Sequence, residues 1–195
     1  MWGIDRRCSG RDDVRMAARD SYDEIAADYA KKFLDELAAK PIDRALLDLV
    51  AGEVGDQGVI ADIGCGPGHV ARYLHDRGAA VLGIDVSPAM IEVAGQAHPG
   101  IEFRVGDMGS LEFSDQSWAG IVAMYSIIHI PPSDLAGVAA EFQRVLRPGG
   151  MVLLAFHVGD ETRHVEEMLG HAVDLDFYFY GRELLEQKFE EAGFA

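Results

Sequence analysis

Cysteine is scarce in this 195-residue chain: there are two, Cys8 and Cys65, far apart and in no C-x-x-C pair. Neither a disulfide framework nor a cysteine-based metal site is expected from that number and spacing. Long apolar runs are missing as well, since no stretch approaches the roughly 20 residues that a helix needs to cross a bilayer. The amino terminus, Met1 to Arg19, is rich in arginine and lacks the apolar centre of a secretory signal. A cytoplasmic protein without a membrane partner is the expectation. Positive charge is also in short supply. Lys and Arg total 17 against 33 Asp and Glu, a formal net charge of -16. Such an average field repels a phosphate backbone unless a local basic patch opposes it. The basic residues cluster at Arg6, Arg7, Arg11, Arg15 and Arg19, with acids interleaved. That composition reads as a flexible, solvated leader over residues 1–20, and nucleic acid is not expected as a partner.

What is present is enough apolar sequence, 49% of residues, for one domain with a sizeable core. Ser21 and Glu24 have the spacing of a helix capping box. Tyr22, Ile25, Ala26, Tyr29, Phe33 and Leu37 then follow a helical period. Lys40-Pro41 ends that helix and opens a second, with Ile42, Leu46, Leu47 and Val50 as its apolar face. From Val59 onward short apolar strands alternate with helices. Strands are expected at Val59–Ile63, Ala80–Ile84, Ile101–Val105, Trp118–Tyr125 and Met151–His157. Helices are expected at His69–Arg77, closed by Gly78, from Ser87-Pro88 to about Ala97, and from Ser133 to about Leu146. Arg147-Pro148-Gly149-Gly150 reads as a turn, and Arg182 to Ala192 as a last helix. This alternation implies an α/β fold around a parallel sheet covered on both faces.

The strongest local signal is Asp62-Ile63-Gly64-Cys65-Gly66-Pro67-Gly68, between the first strand and its helix. Glycines there let backbone approach a ligand and adopt positive φ. Ligands of open α/β sheets bind at the carboxyl ends of the strands, where this loop falls. A dinucleotide fingerprint would place its third glycine at position 69, which is His69. The D-x-G-x-G-x-G spacing instead resembles motif I of the class I, Rossmann-like, S-adenosylmethionine-dependent methyltransferases. The second strand ends in Asp85, followed by Val86-Ser87-Pro88-Ala89-Met90, and the third leads into Gly106-Asp107-Met108. In that family the first acid holds the ribose hydroxyls. The second contacts the adenine amino group, and the backbone after it contacts the ring. The resemblance runs from about Tyr22 to the end of the chain. It implies an open, mostly parallel, Rossmann-like sheet in the order 3-2-1-4-5 under an N-terminal helical cap, within one methyltransferase domain over residues 21–195. It also implies S-adenosylmethionine as cofactor and S-adenosylhomocysteine as product. By the same resemblance Tyr22 and Tyr29 reach the cofactor carboxylate. The full cofactor-binding set expected is Tyr22, Tyr29, Asp62, Gly64, Gly66, Gly68, Asp85, Val86, Met90, Asp107, Met108 and Tyr125.

The resemblance implies transfer of a methyl group to a small-molecule acceptor, whose reacting atom (oxygen, nitrogen or carbon) the sequence does not name. His129, after the fourth strand, and His157, at the end of the fifth, are the candidate general bases, because imidazole titrates near neutral pH. Val173 to Tyr180 alternates and reads as an extended lid over an apolar acceptor, or as a strand that simply packs. Pro131-Pro132 lacks the N/D-P-P-Y/F context of nucleic-acid amino-methyltransferases. Two rival readings remain: a non-catalytic or truncated cofactor-binding module, and an NAD-dependent oxidoreductase, against which His69 stands. Members of the family usually end in two further strands, and both are apparently missing here. The fifth strand is therefore expected to present an open edge, with self-association as its consequence.

Overall fold

The computed structural model describes the backbone from Gly10 and side chains from Val14 onward; Cys8, Arg6 and Arg7 lie outside the described residues. Helix α1 (Gly10–Phe33) begins about three turns before the expected start at Ser21. Ser21 is therefore no N-cap. Its hydroxyl accepts from the Asp174 N–H at 2.9 Å and donates to the Asp174 carbonyl at 3.3 Å, a tertiary partner that the local S-x-x-E spacing cannot reveal. A short 3₁₀ turn (Glu36–Ala39) leads to α2 (Pro41–Val54), with proline at its first position. The buried face of α2 is Leu47, Val50 and Val54, whereas Ile42 and Leu46, expected on that face, are exposed.

The chain then winds through β1 (Ile60–Ile63), α3 (His69–His75), β2 (Val81–Asp85), α4 (Pro88–Ala97) and β3 (Glu102–Val105). It continues through β4 (Trp118–Met124), α5 (Leu135–Val145) and β5 (Leu146–Ala155). These strands form one sheet in the order β3-β2-β1-β4-β5, and every pairing is parallel. The right-handed crossover rule accounts for helices on both faces. On one face α5 packs Val138, Phe142 and Val145 under Ile63, Ile84 and Ile121; on the other α2 and α3 pack Leu47, Val50 and Leu74 against Ile60 and Val122. The Arg147–Gly150 segment is a bulge inside β5 rather than a turn before it. Leu146 pairs with Trp118 and Met151 with Gly120, so five steps on β5 match two on β4. Gly149, at φ +78°, makes that excursion.

Beyond β5 lies a hairpin of β6 (Thr162–Met168) and β7 (His171–Tyr178), a separate two-stranded antiparallel sheet, followed by α6 (Arg182–Glu191). The alternating 173–180 segment is thus largely β7. Its partner β6, Thr-Arg-His-Val-Glu-Glu-Met, went unread because it is almost wholly polar and exposed, with no alternation to see. Leu169 and Gly170, both at positive φ, form the two-residue turn. Val173 and Leu175 of β7 bury against Ile25 of α1, a small core separate from the two around the sheet. Helix α1 and the hairpin together roof the carboxyl ends of the strands.

The hairpin does not extend the main sheet, so among the described residues β5 pairs with β4 alone and stays half-exposed along Val152, Leu153 and Leu154. An apolar strand with an unpaired edge is a template for another chain. The 195-residue protein is expected to show a scattering mass that rises with concentration. A mass fixed at one chain across the range would sink this expectation. Among the described residues no helix is long and apolar enough to cross a membrane.

Candidate active site

The glycine loop after β1 follows from its backbone. Gly64, Gly66 and Gly68 adopt φ +69°, +51° and +81°, a region that costs other residues about 1–2 kcal/mol. The N–H groups of Gly64 and Cys65 donate to the Ile84 carbonyl at 2.7 and 3.0 Å, holding the loop across the end of β2. Asp85 at that end is buried. It accepts from the N–H of Gly66 at 2.8 Å through one oxygen and from the N–H of Ser87 at 2.9 Å through the other. Burial pushes its carboxyl up, and those N–H donors oppose the rise. Ser87 caps α4 by accepting from the Met90 N–H at 3.0 Å. Its hydroxyl also donates to Asp23 of α1 at 2.6 Å, which stitches the roof to the site.

One cavity gathers most of the residues expected to hold a cofactor. Tyr22, Tyr29, Gly64, Gly66, Asp85, Val86, Met90, Asp107, Met108, Tyr125 and His129 all line it. Two others, and the candidate base His157, do not. Asp62 is fully buried beneath the loop and accepts from the Ala71 N–H at 2.9 Å, pinning α3 to β1; burial pushes its carboxyl up to about 7. Gly68 faces Phe103 and His98, where an added Cβ would lie 2.7 Å from the Phe103 ring. His157 lies outside, in a cleft beyond Tyr125.

The sequence also hid contributors. Arg15, read as part of a solvated leader, reaches the cavity on α1 and donates to Asp107 at 2.8 Å, while Asp107 also accepts from the Gly109 N–H at 2.7 Å. Glu36 sits between His69 at 2.9 Å and Lys40 at 2.9 Å. Burial pushes its carboxyl up, but the hydrogen bonds from His69 and Lys40 outweigh that and hold it below the usual range. The four-residue spacing of Glu36 and Lys40 was the available signal for this pair.

The chemistry of these donors fits a nucleoside joined to an amino acid. Asp85 uses one N–H per oxygen and retains acceptor capacity for ribose hydroxyls. Arg15 Nε and His69 Nδ1 are buried at the cavity without a hydrogen-bond partner among the described residues, so the cavity wall holds unspent polar capacity.

Residues 60–150 match a family model described as a methyltransferase domain. Over that segment the chain is similar to methyltransferases. It is 34% identical over 143 residues to the demethylmenaquinone methyltransferase of Chlorobaculum parvum, covering 70% of this chain and 58% of that one. It is 29% identical over 143 residues to a malonyl-[acyl-carrier protein] O-methyltransferase of Serratia marcescens, covering 72% and 52%. The chain thus spans little more than half the length of these curated relatives. A protein of Pyrococcus horikoshii OT3 superposes with TM-score 0.63 at 26% identity, over 75% of this chain and 77% of that one. The DhpI–S-adenosylhomocysteine complex shares the fold with TM-score 0.75 at 21% identity, over 92% and 87%.

Within this methyltransferase fold the candidate base is tied down. The Asp176 carbonyl can only accept, so His129 Nδ1 carries the proton that bonds it at 2.9 Å. Nε2 is then the acceptor for the Tyr22 hydroxyl at 2.8 Å. Burial pulls the imidazole down to about 4, so it is neutral at pH 7. Burial, with the fields of Tyr29 and Asp85, pushes the Tyr22 phenol well above its ordinary value. Tyr22 therefore stays a hydrogen-bond donor. An acceptor reaches Nε2 only by displacing the Tyr22 hydroxyl.

Asp85→Ala removes the carboxylate expected to hold the ribose hydroxyls. S-adenosylhomocysteine binding by calorimetry is expected to weaken by about 1.5–3 kcal/mol, the range for hydrogen bonds to a charged group. A loss well below that places the ribose elsewhere.

Proposed function

We propose that the chain transfers a methyl group from S-adenosylmethionine to a small-molecule acceptor. The observation that carries this reading is a single cavity at the carboxyl ends of the strands. The glycine loop, Asp85, Asp107-Met108, Tyr125 and His129 all line it. Asp85 would hold the ribose, and Asp107 and Met108 the adenine. Glu36, on the cavity wall, would meet the amino group of the methionine portion. The cofactor, when bound, supplies an electrophilic methyl at a positively charged sulfur. What the protein adds is orientation, because in-line displacement rewards alignment of the reacting atoms. Helix α1 covers the cavity through Arg15, Tyr22 and Tyr29. His129, neutral and fixed in one tautomer, positions an acceptor hydroxyl or amine and takes its proton once Tyr22 yields Nε2.

The relatives support the small-molecule class: one is named for demethylmenaquinone and the other for O-methylation of malonyl on a carrier protein. The net charge of -16 opposes a nucleic-acid acceptor. The test is a thermal-shift panel with S-adenosylmethionine, S-adenosylhomocysteine and NAD, since a ligand that prefers the folded state raises the midpoint. A shift with the first two and none with NAD is expected. A shift with NAD alone would overturn the reading.

A further inference from the structure

Helix α1 is held to the fold in two different ways along its length. From Ser21 onward the anchorage is dense. Ser21 bonds the Asp174 backbone through both its donor and its acceptor. Asp23 accepts from the Ser87 hydroxyl at 2.6 Å and from the Ala89 N–H at 3.0 Å, and Ile25, Ala26 and Ala30 are buried. Residues 14–20, by contrast, include no buried side chain. Among the described residues, Arg15 makes every hydrogen bond and ion pair that ties this stretch to the rest of the fold. Arg19 pairs with Asp23, on its own helix. A helix of about three turns is marginal by itself, so the first half of α1 lies at the low end of local stability.

Arg15 docks on the turn after β3. The Ser110 N–H closes that turn on the Asp107 carbonyl at 3.0 Å, and the Gly109 N–H donates to one Asp107 carboxylate oxygen at 2.7 Å. The other oxygen accepts from Arg15 Nη1 at 2.8 Å, and Nη2 lies 3.9 Å from the Asp134 carboxylate. Gly109 leaves room for the guanidinium: a Cβ there would lie 2.5 Å from Nη2 and 3.1 Å from Cζ. Docking also has a cost. Arg15 Nε is buried without a hydrogen-bond partner among the described residues, and it regains a bond to water when the side chain swings out. The Arg15 and Asp107 side chains keep 26% and 31% of their exposure, a setting in which an ion pair contributes little. One such pair, set against one unsatisfied donor, leaves only a small free energy between the docked and the open state. Arg15, Ala18 and Asp107 all line the cofactor cavity, so whatever opens here opens that cavity.

We propose that Arg15 is a latch: residues 14–20 of α1 release Asp107 and open to let the cofactor in and its product out. While latched, Arg15 and the Gly109 N–H occupy the two oxygens of the carboxylate that would hold the adenine. Opening frees that carboxylate, and closing returns the guanidinium to it. The latch governs the rate of exchange more than affinity, because the same opening precedes both entry and exit. Its role in exchange rests on the methyl-transfer reading, whereas the opening itself does not.

Two variants disable the latch from opposite sides. Arg15→Met keeps a helix-forming stem and removes the charge. Gly109→Ala leaves α1 untouched and pushes the guanidinium off the turn, at a position whose φ is not left-handed. Hydrogen exchange on the ligand-free protein reads the opening directly. Amides of residues 14–20 should exchange about fivefold faster in both variants, the scale of one part-exposed ion pair, while residues 21–33 keep wild-type protection. Wild-type exchange over 14–20 in either variant overturns the latch. Surface plasmon resonance with S-adenosylhomocysteine then reads the gate. Association and dissociation should both quicken about fivefold, with affinity moving less than about twofold. About 1 M salt should quicken both rates in the wild type by screening the pair and leave the variants unmoved. Faster dissociation alone, with affinity lost in proportion, makes Arg15 a contact of the ligand and overturns the gate. A wild type that fails to bind S-adenosylhomocysteine overturns the methyl-transfer reading and the exchange role with it, while the hydrogen-exchange result still decides the opening.

Discussion

Gly64→Val is expected to destabilise the protein by about 2–5 kcal/mol, the sum of two costs at one residue. The first is backbone: φ +69° is a left-handed conformation that a β-branched residue resists by about 1–2 kcal/mol. The second is steric. A Cβ on Gly64 would lie 2.2 Å from Ser126 Cβ and 2.8 Å from its hydroxyl. Ser126 cannot swing aside, because its side chain is short and its hydroxyl donates to the Ile63 carbonyl at 2.6 Å. Overpacking of that kind adds about 1–3 kcal/mol. Gly66→Val is the partner experiment. It has the same backbone cost at φ +51°, but the nearest atom to its Cβ is Tyr29 Cε1 at 3.9 Å, on the wall of the cavity. Gly66→Val should fold with a smaller loss and bind S-adenosylhomocysteine poorly or not at all. Urea denaturation and calorimetry on both variants separate the effects. Equal destabilisation would refute the Ser126 clash, and wild-type affinity in Gly66→Val would refute the cradle.

The second large effect is a pH dependence centred on His129. Burial holds the folded imidazole at about 4, against an unfolded value near 6.5. Between those values the unfolded chain binds the proton and the folded one does not, so stability falls as the pH drops through that window. The full contribution, about 3 kcal/mol, is present above the unfolded value and lost below the folded one. Asp62 acts in the opposite sense. Its carboxyl is raised to about 7, so the folded state takes up a proton first and gains stability as the pH falls. The net curve therefore mixes signs, and the informative quantity is a difference. His129→Gln keeps a donor for the Asp176 carbonyl and an acceptor for Tyr22 but does not titrate. The wild type should lose about 3 kcal/mol relative to His129→Gln between pH 6.5 and pH 4, with Asp62 cancelling because both proteins carry it. Parallel curves would mean that His129 is solvated in the folded protein.

The strands, the helices and the glycine loop were legible in the sequence because they rest on local rules, while the sheet order followed from the family resemblance. Strands of the main sheet, each four residues or more and mostly apolar, announce themselves. The left-handed glycines and the acid at the end of β2 announce the loop that Asp85 braces. Ser87 and Pro88 cap α4 as their types require. These features depend on spacing along a few residues, and spacing is what a sequence displays.

The tertiary structure decided the rest. Ser21 reads as a cap but ends up bonded to Asp174, 153 residues away. Arg15 reads as a solvated charge but meets Asp107, 92 residues on. His129 reads as a free base, yet Tyr22 and Asp176 hold both of its nitrogens. Lys40, Tyr125, His157, Phe179 and Arg163 meet in a line of ring and cation contacts, drawn from five separate segments. In each case the deciding partner is distant in the chain and arrives through the roof that α1 and the hairpin make. The sequence alone determined an α/β sheet with a ligand loop at its carboxyl edge, because helix period, strand alternation and turn chemistry act between near neighbours. Only the folded chain decided which charges are buried and which tautomer His129 holds, because burial and long-range hydrogen bonds exist only once the roof has closed over the sheet.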